Sequence, residues 1–501
     1  MEKMDGSSVH LKASVWRNMA LPDEVAGRAW QRGSEVHRRG ELFRKKGLQL
    51  LAGICLLAAG LPTAAWAKKH PETPPAPAIS ADEQAAQSIY AASSDGVAAF
   101  YAYRHNAPFW LSRAGVANPA VPQMLAILKR AQFDGFADGP ALAAQAEVAI
   151  AAAQDGNAVK VASAERLLSS TWVRYVQAMK APARGIEYAV PYLAPQTVRG
   201  ENVLFDAARA SSLEQYLKAA SEPNPLYVQL RDAIMNQVKG GAPLDRRMLG
   251  SLDRARILPA TGRFVLVDSA AQRLFMIEDG QIRDSMKVVV GMTEDKVTKK
   301  ATPELYTPMI VSMISYATFN PYWHVPPHLV PNIAKGVVAT GVKALKPNRY
   351  QVVDAYVEHP NVLDPTQVNW KAVAAGTQKV AIRQLPGPAN SMGVLKFQFP
   401  NINGIYLHDT PHREYFKESL RTLSNGCIRL EDAKRLGRWL MGRDPVPPSP
   451  EPEQNVLLPQ SVPVYVSYFT AWAENSQLVL RPDFYGRDSD GIAATKVATL
   501  K

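Results

Sequence analysis

The sequence predicts an α+β protein with an all-helical first half and a mainly-β second half. Three observations carry the prediction. Apolar residues recur at three- and four-residue steps through 81–238, short β-type runs punctuated by Pro and Gly follow, and the character of the chain changes near Arg263.

In the helical half, Val161, Ala164, Leu168, Trp172, Tyr175 and Met179 mark one apolar helix face. Ser211, followed three residues later by Glu214 and then by Tyr216 and Leu217, reads as a capping box that opens another helix. Phe100, Tyr101, Phe109 and Trp110 read as core, and no residue of this half is a candidate for chemistry.

Strands are predicted at 264–268, 274–277 and 286–290, with Asp279-Gly280 as the tight turn between the second and third. More follow at 309–319, 352–357, 379–383, 396–399 and 404–408. Residues 429–440 predict a helix, because Leu430, Ala433, Leu436 and Leu440 share a face and Glu431 and Asp432 sit in its first turn. After a Pro-rich connector at 445–459, strands close the chain at 462–469 and 478–480.

The chain of 501 residues is 47% hydrophobic and 20% charged, which excludes a disordered protein and suits two or three domains. The net charge of +12 is compatible with an acidic polymer as partner and is not a nucleic-acid footprint. Arg44, Lys45 and Lys46 precede an apolar run at 48–61 that ends in Ala65-Trp66-Ala67. That order describes a secretory signal, either cleaved after Ala67 or retained as an inner-membrane anchor, so the remainder is expected outside the cytoplasm. A Pro-rich linker covers 68–80.

The chain holds two cysteines, and Cys55 lies inside the apolar export segment. Cys427 is therefore a single thiol in an oxidising compartment: buried and inert, intermolecular, or reactive. It sits in Ser424-Asn425-Gly426-Cys427-Ile428-Arg429, just ahead of the predicted helix. A helix start and Arg429 favour the thiolate, and the N–H groups of Gly426 and Cys427 offer an oxyanion hole. A nucleophilic cysteine needs a base. Of nine histidines, His408 ends an apolar strand nineteen residues before Cys427, which fixes its imidazole at a sheet edge. Zinc is the competing reading: His408–His412 and His324–His328 have i,i+4 spacing, but prolines inside each pair break the helix such a site needs. His408, Cys427 and Asp409 remain a conceivable ligand set.

These residues resemble the L,D-transpeptidases of bacterial cell walls, whose signature is a histidine followed downstream by S-H-G-C-x-R. The match runs from Ile405-Tyr406-Leu407-His408-Asp409 to Ser424-Asn425-Gly426-Cys427-Ile428-Arg429, with Asn425 where the commonest motif has His. Blocks at 286–291, 319–327, 384–393 and 396–401 are similar to the large, scaffold-bearing periplasmic subfamily, as are 463–472 and 484–488. No peptidoglycan-binding helical module is evident between the two halves.

The resemblance implies a periplasmic acyltransferase that releases D-alanine from tetrapeptide stems of peptidoglycan and forms 3→3 cross-links. Cys427 would be the nucleophile and His408 the general base. Gly426, Ser424, Tyr406 and Arg429 would support the oxyanion and the loop; Trp323, Asp409 and Asn425 would contact substrate. No metal, cofactor or nucleic acid is implied, and carbapenems are implied as covalent inhibitors. An L,D-carboxypeptidase of the same fold and a non-catalytic wall-binding protein stay open. The expected organisation is an export segment at 1–67, a linker at 68–80 and a scaffold domain at 81–250. The catalytic domain is expected at 262–442 with a lid at about 322–379, and a connector with closing strands at 443–501.

Overall fold

The computed structural model of the protein describes residues 79–92, 96–295, 299–357 and 359–488. The expected export segment and nearly all of the linker lie outside them. The described parts of Ile79–Ala355 and of the chain from Pro360 onward belong to one compact unit. No helix among the described residues is long and apolar enough to cross a membrane.

The helical half begins with α1 (Ala81–Ala91), α2 (Val97–Tyr103), α3 (Val121–Arg130), α4 (Gly139–Ala152) and α5 (Ala158–Met179). Ser80 and Glu83 form a reciprocal capping box on α1. All six residues of the predicted face of α5 are buried, with Leu168, Trp172 and Tyr175 at 0% exposure. Helices α6 (Gly200–Arg209), α7 (Leu213–Ser221), α8 (Pro225–Lys239) and α9 (Arg246–Ala255) complete it. The α7 cap is Ser212, which accepts the Gln215 N–H at 3.1 Å, so the cap falls one residue after the expected Ser211, as a single N-cap bond. The all-helical expectation needs one correction. Strand β1 (Ile186–Tyr188) leaves the helices and pairs in parallel with the catalytic half. Three residues carry too little periodicity to announce a strand whose partner lies more than a hundred residues away.

The β half builds on β2 (Arg263–Asp268), β3 (Arg273–Glu278), β4 (Gln281–Gly291) and β5 (Met309–Phe319). It continues through β6 (Trp323–His324), β7 (Tyr350–Val353), β8 (Ala381–Gln384), β9 (Leu395–Gln398) and β10 (Tyr406–His408). Then follow β11 (Thr422–Ser424), β12 (Ile428–Leu430), β13 (Gln454–Ser467), β14 (Ala471–Glu474) and β15 (Gln477–Leu480). Asp279 and Gly280 both have positive φ, 50° and 71°, and make the tight β3–β4 hairpin that the sequence predicts.

Strand order runs β5-β13-β2-β3-β4-β12-β10-β9, and β9 pairs back onto β5, which closes the ring into an eight-stranded barrel. Alternation sorts the side chains. Val265, Val267, Leu274, Met276, Val464 and Val466 fill the barrel, while Phe264, Leu266, Phe275, Ile277 and Tyr465 join the helical core outside it. Strands β2 and β3 read as continuous apolar runs because both faces are covered.

Strand β13 sits between β5 and β2, so a catalytic domain ending at 442 would lose a stave of its own barrel. The segment on which a lid is expected holds a three-stranded sheet of its own, β6-β8-β7, and its own core of Val325, Val330, Val337, Val352, Trp370 and Ile382, and β8 carries that sheet to Gln384.

The helix expected at 429–440 is also corrected. Ile428–Leu430 is strand β12, and α10 starts only at Ala433 (Ala433–Met441), capped by Asp432, whose carboxylate accepts the Arg435 N–H at 2.9 Å. Leu430 fits a helical period, but it and Ile428 are both fully buried in the barrel, and two-residue alternation prevails there.

Candidate active site

Cys427 ends the turn that links β11 to β12. Ser424 staples this turn: its Oγ donates to the Cys427 carbonyl at 2.6 Å and accepts the Gly426 N–H at 3.2 Å. Gly426 has φ of +109°, and a Cβ there would come within 3.1 Å of Ile405 Cδ1, so both backbone and space call for glycine. The Gly426 N–H is therefore committed inside the turn, which removes it from the expected oxyanion pair. Because a strand follows Cys427, the expected help from a helix start is absent too.

Cys427 is half-buried as a residue, and its thiol donates to the Gly404 carbonyl at 3.6 Å. Burial pushes the thiol above its usual range, against the opposing pull of the Tyr406 N–H and the charges of Arg429 and Lys396.

His408 closes β10, which runs parallel to β12 with Leu407 opposite Ile428 and His408 opposite Arg429. Leu407 and Ile428 point into the barrel at 0% exposure, so Tyr406, His408 and Arg429 occupy the outer face. Continuing the β12 alternation back two residues brings Cys427 to that face. Its sulfur lies beside the backbone of Gly404 and Tyr406, on the strand that carries His408. Cys427 thus directly precedes β12, the strand beside β10, and His408 at the end of β10 is in register with Arg429, two residues further along.

His408 is 3% exposed, and its Nδ1 lies 2.6 Å from the Asp409 carbonyl oxygen. A carbonyl only accepts, so Nδ1 carries the proton and Nε2 is left as the basic nitrogen. Burial, with Arg429 and Lys396 adding to it, lowers the ring to about 3. Burial thus favours the thiol form of Cys427 and the neutral form of His408.

Sequence reasoning missed Lys396, Glu453 and His324 as parts of this face. Lys396 stands opposite His408 on β9 and is 5% exposed, with Nζ 3.6 Å from the Glu453 carboxylate and 5.5 Å from the Tyr406 ring centre. Glu453 also accepts the Tyr322 N–H at 2.6 Å, which ties the start of the lid to the same cluster. His324 arrives on lid strand β6, where burial, Lys396 and Arg383 lower it to about 4. A signal for Lys396 existed: in Leu395-Lys396-Phe397-Gln398 a charged residue alternates with barrel-filling ones.

A profile of the YkuD family, the L,D-transpeptidase catalytic domain, matches residues 262–447, and a scaffold-domain profile matches 95–234. The chain carries an L,D-transpeptidase catalytic domain preceded by a scaffold domain. A Haemophilus influenzae protein named "Putative L,D-transpeptidase" is 24% identical over 403 residues, covering 78% of each chain. A crystallised L,D-transpeptidase segment (residues 123–326) from Xylanimonas cellulosilytica is 14% identical. That match covers 48% of this chain and 79% of that one, with a TM-score of 0.17.

Within this L,D-transpeptidase domain the remaining expected residues divide. Asp409, expected at substrate, is 4% exposed with its carboxylate held by the Val394 N–H and the Arg413 guanidinium. Trp323, also expected at substrate, packs against the lid core with its ring 6.4 Å from that of Tyr350. Asn425 is half-buried in the nucleophile turn. The Arg429 guanidinium lies 5.4 Å from the Tyr415 ring centre. Among the described residues, no three His, Cys, Asp or Glu side chains are grouped to hold a metal ion.

Proposed function

We propose that this cell-wall L,D-transpeptidase is exported and forms 3→3 cross-links in peptidoglycan through a thioacyl intermediate on Cys427. The observation that carries the proposal is the Cys427 thiol lying against the Gly404 carbonyl just ahead of β10, on the face where His408 is held neutral with Nε2 basic. The Cys427 proton passes to Nε2 as the sulfur attacks the carbonyl of the third residue of a tetrapeptide stem. Collapse of the tetrahedral intermediate breaks the bond to D-alanine, whose nitrogen takes the proton from His408. The side-chain amine of a neighbouring stem then attacks the thioester and gives its proton to His408, and the thiol is restored.

The Cys427 N–H is the oxyanion donor in this account, and Tyr406 and Arg429 line the face beside it. Ser424 holds the turn from within. The lid, with its separate core and His324 reaching the Lys396 cluster, is suited to exclude water from the thioester.

Intact mass after incubation with a carbapenem tests the nucleophile: one adduct is expected on the wild type and none on Cys427→Ala. D-alanine release from a tetrapeptide stem should vanish in the same variant. Dimeric muropeptides among the products support cross-linking, whereas D-alanine without dimers indicates an L,D-carboxypeptidase. Wild-type wall phenotypes in Cys427→Ala would leave only a binding role.

A further inference from the structure

Beneath the nucleophile turn lies a group that neither the catalytic pair nor the scaffold accounts for. Thr307, 1% exposed and two residues before β5, accepts the Gly291 N–H at 2.8 Å and donates its hydroxyl proton to the Gly426 carbonyl at 2.8 Å. Tyr485 seats this threonine. Its hydroxyl donates to the Gly291 carbonyl at 2.6 Å and accepts the Thr307 N–H at 3.4 Å. The Tyr485 ring stacks on Tyr306 with centres 4.4 Å apart, and Arg487 donates to the Thr307 carbonyl at 2.6 Å. A Cβ on Gly291 would come within 1.9 Å of the Leu305 carbonyl oxygen, so the two chain segments meet backbone to backbone.

The consequence follows from peptide planarity. In a trans peptide the C=O of one residue and the N–H of the next point in opposite directions. Holding the Gly426 oxygen on Thr307 therefore turns the Cys427 N–H away from the buried network. With the Gly426 N–H already given to Ser424, this single N–H must be aimed correctly.

We propose that Thr307, seated by Tyr485, is a positioning residue that fixes the Gly426–Cys427 peptide plane and so aims the Cys427 N–H at the developing oxyanion. The proposal rests on Cys427 being the nucleophile. It also makes 484–488 part of the active site, although the matched catalytic domain ends at 447.

Full-length Thr307→Val keeps the shape of the side chain and removes its hydroxyl, whereas Thr307→Ser keeps the hydroxyl. The Val variant is expected to lose roughly 10²-fold in kcat for D-alanine release at a nearly unchanged KM, the scale of a displaced oxyanion donor. Thr307→Ser should stay close to wild type. Alkylation of Cys427 by iodoacetamide, a displacement at carbon that forms no oxyanion, should proceed at the wild-type rate in both. Tyr485→Phe should show the same pattern to a smaller degree and carries the test if Thr307→Val does not fold. Equal losses in the Val and Ser variants, a parallel loss of alkylation, or unchanged kcat in both Thr307→Val and Tyr485→Phe would each overturn the proposal. D-alanine release by Cys427→Ala overturns the nucleophile reading beneath it instead.

Discussion

Lys396 stands directly opposite His408 on the neighbouring strand, a buried cation beside a ring held neutral. Its charge lowers the proton affinity of His408 and of Cys427 alike. Glu453, reaching in from just before β13, holds the ammonium in place. The face where chemistry is expected is thus flanked by a fixed positive charge that comes with the barrel itself.

Replacing that lysine should move both partners the same way. In Lys396→Met the His408 and Cys427 pKa values rise, so the pH midpoint of iodoacetamide alkylation shifts upward. Alkylation at pH 7 should fall accordingly, because less of the sulfur is thiolate. Lys396→Arg should preserve the wild-type profile. An unmoved midpoint in the Met variant would show that the charge is screened from the sulfur.

Stability should decline in mild acid. His408 and His324 are lowered to about 3 and about 4 when folded, while an unfolded histidine titrates near 6.5. Below about pH 6.5 the unfolded chain therefore binds protons that the folded chain refuses. Stability is complete above that pH and falls by on the order of 1.4 kcal/mol per pH unit per ring as pH drops toward 4. Denaturant midpoints at pH 7 and pH 4.5 measure this, and His324→Gln should flatten part of the slope.

Ser424→Ala should loosen the nucleophile turn. It strips the Gly426 N–H of its acceptor and the Cys427 carbonyl of a donor, both in a well-buried segment. A loss of about 1–3 kcal/mol in stability is expected, with a fall in kcat for D-alanine release. Wild-type values for both would mean that water replaces the hydroxyl without penalty.

The scaffold reaches the catalytic loop through Glu187 on β1. Its carboxylate accepts the Ile402 N–H at 2.9 Å and the Asn403 side chain at 2.8 Å, just before Gly404, the acceptor of the Cys427 thiol. Glu187→Ala should destabilise the protein by about 1 kcal/mol and speed amide exchange at Ile402 several-fold. Unchanged exchange there would show that the loop stands without the scaffold's grip.

The sequence by itself determined the two-part architecture, most of the strands that fill the barrel and the two residues proposed for the chemistry. Those features are written locally: Trp172 and its neighbours on a helical period, Val265 and Val267 alternating with Phe264 and Leu266, and a lone thiol downstream of a strand-end histidine. Only the tertiary structure decided what surrounds the sulfur. Lys396, Glu453, Thr307, Tyr485 and Glu187 come from distant segments, and the barrel closes through β13, beyond the boundary drawn at 442. The same long-range pairing turned Ile428–Leu430 from the expected helix start into a strand. The reason is physical: period and composition record which face of an element is buried, but not which distant segment's polar groups will meet there.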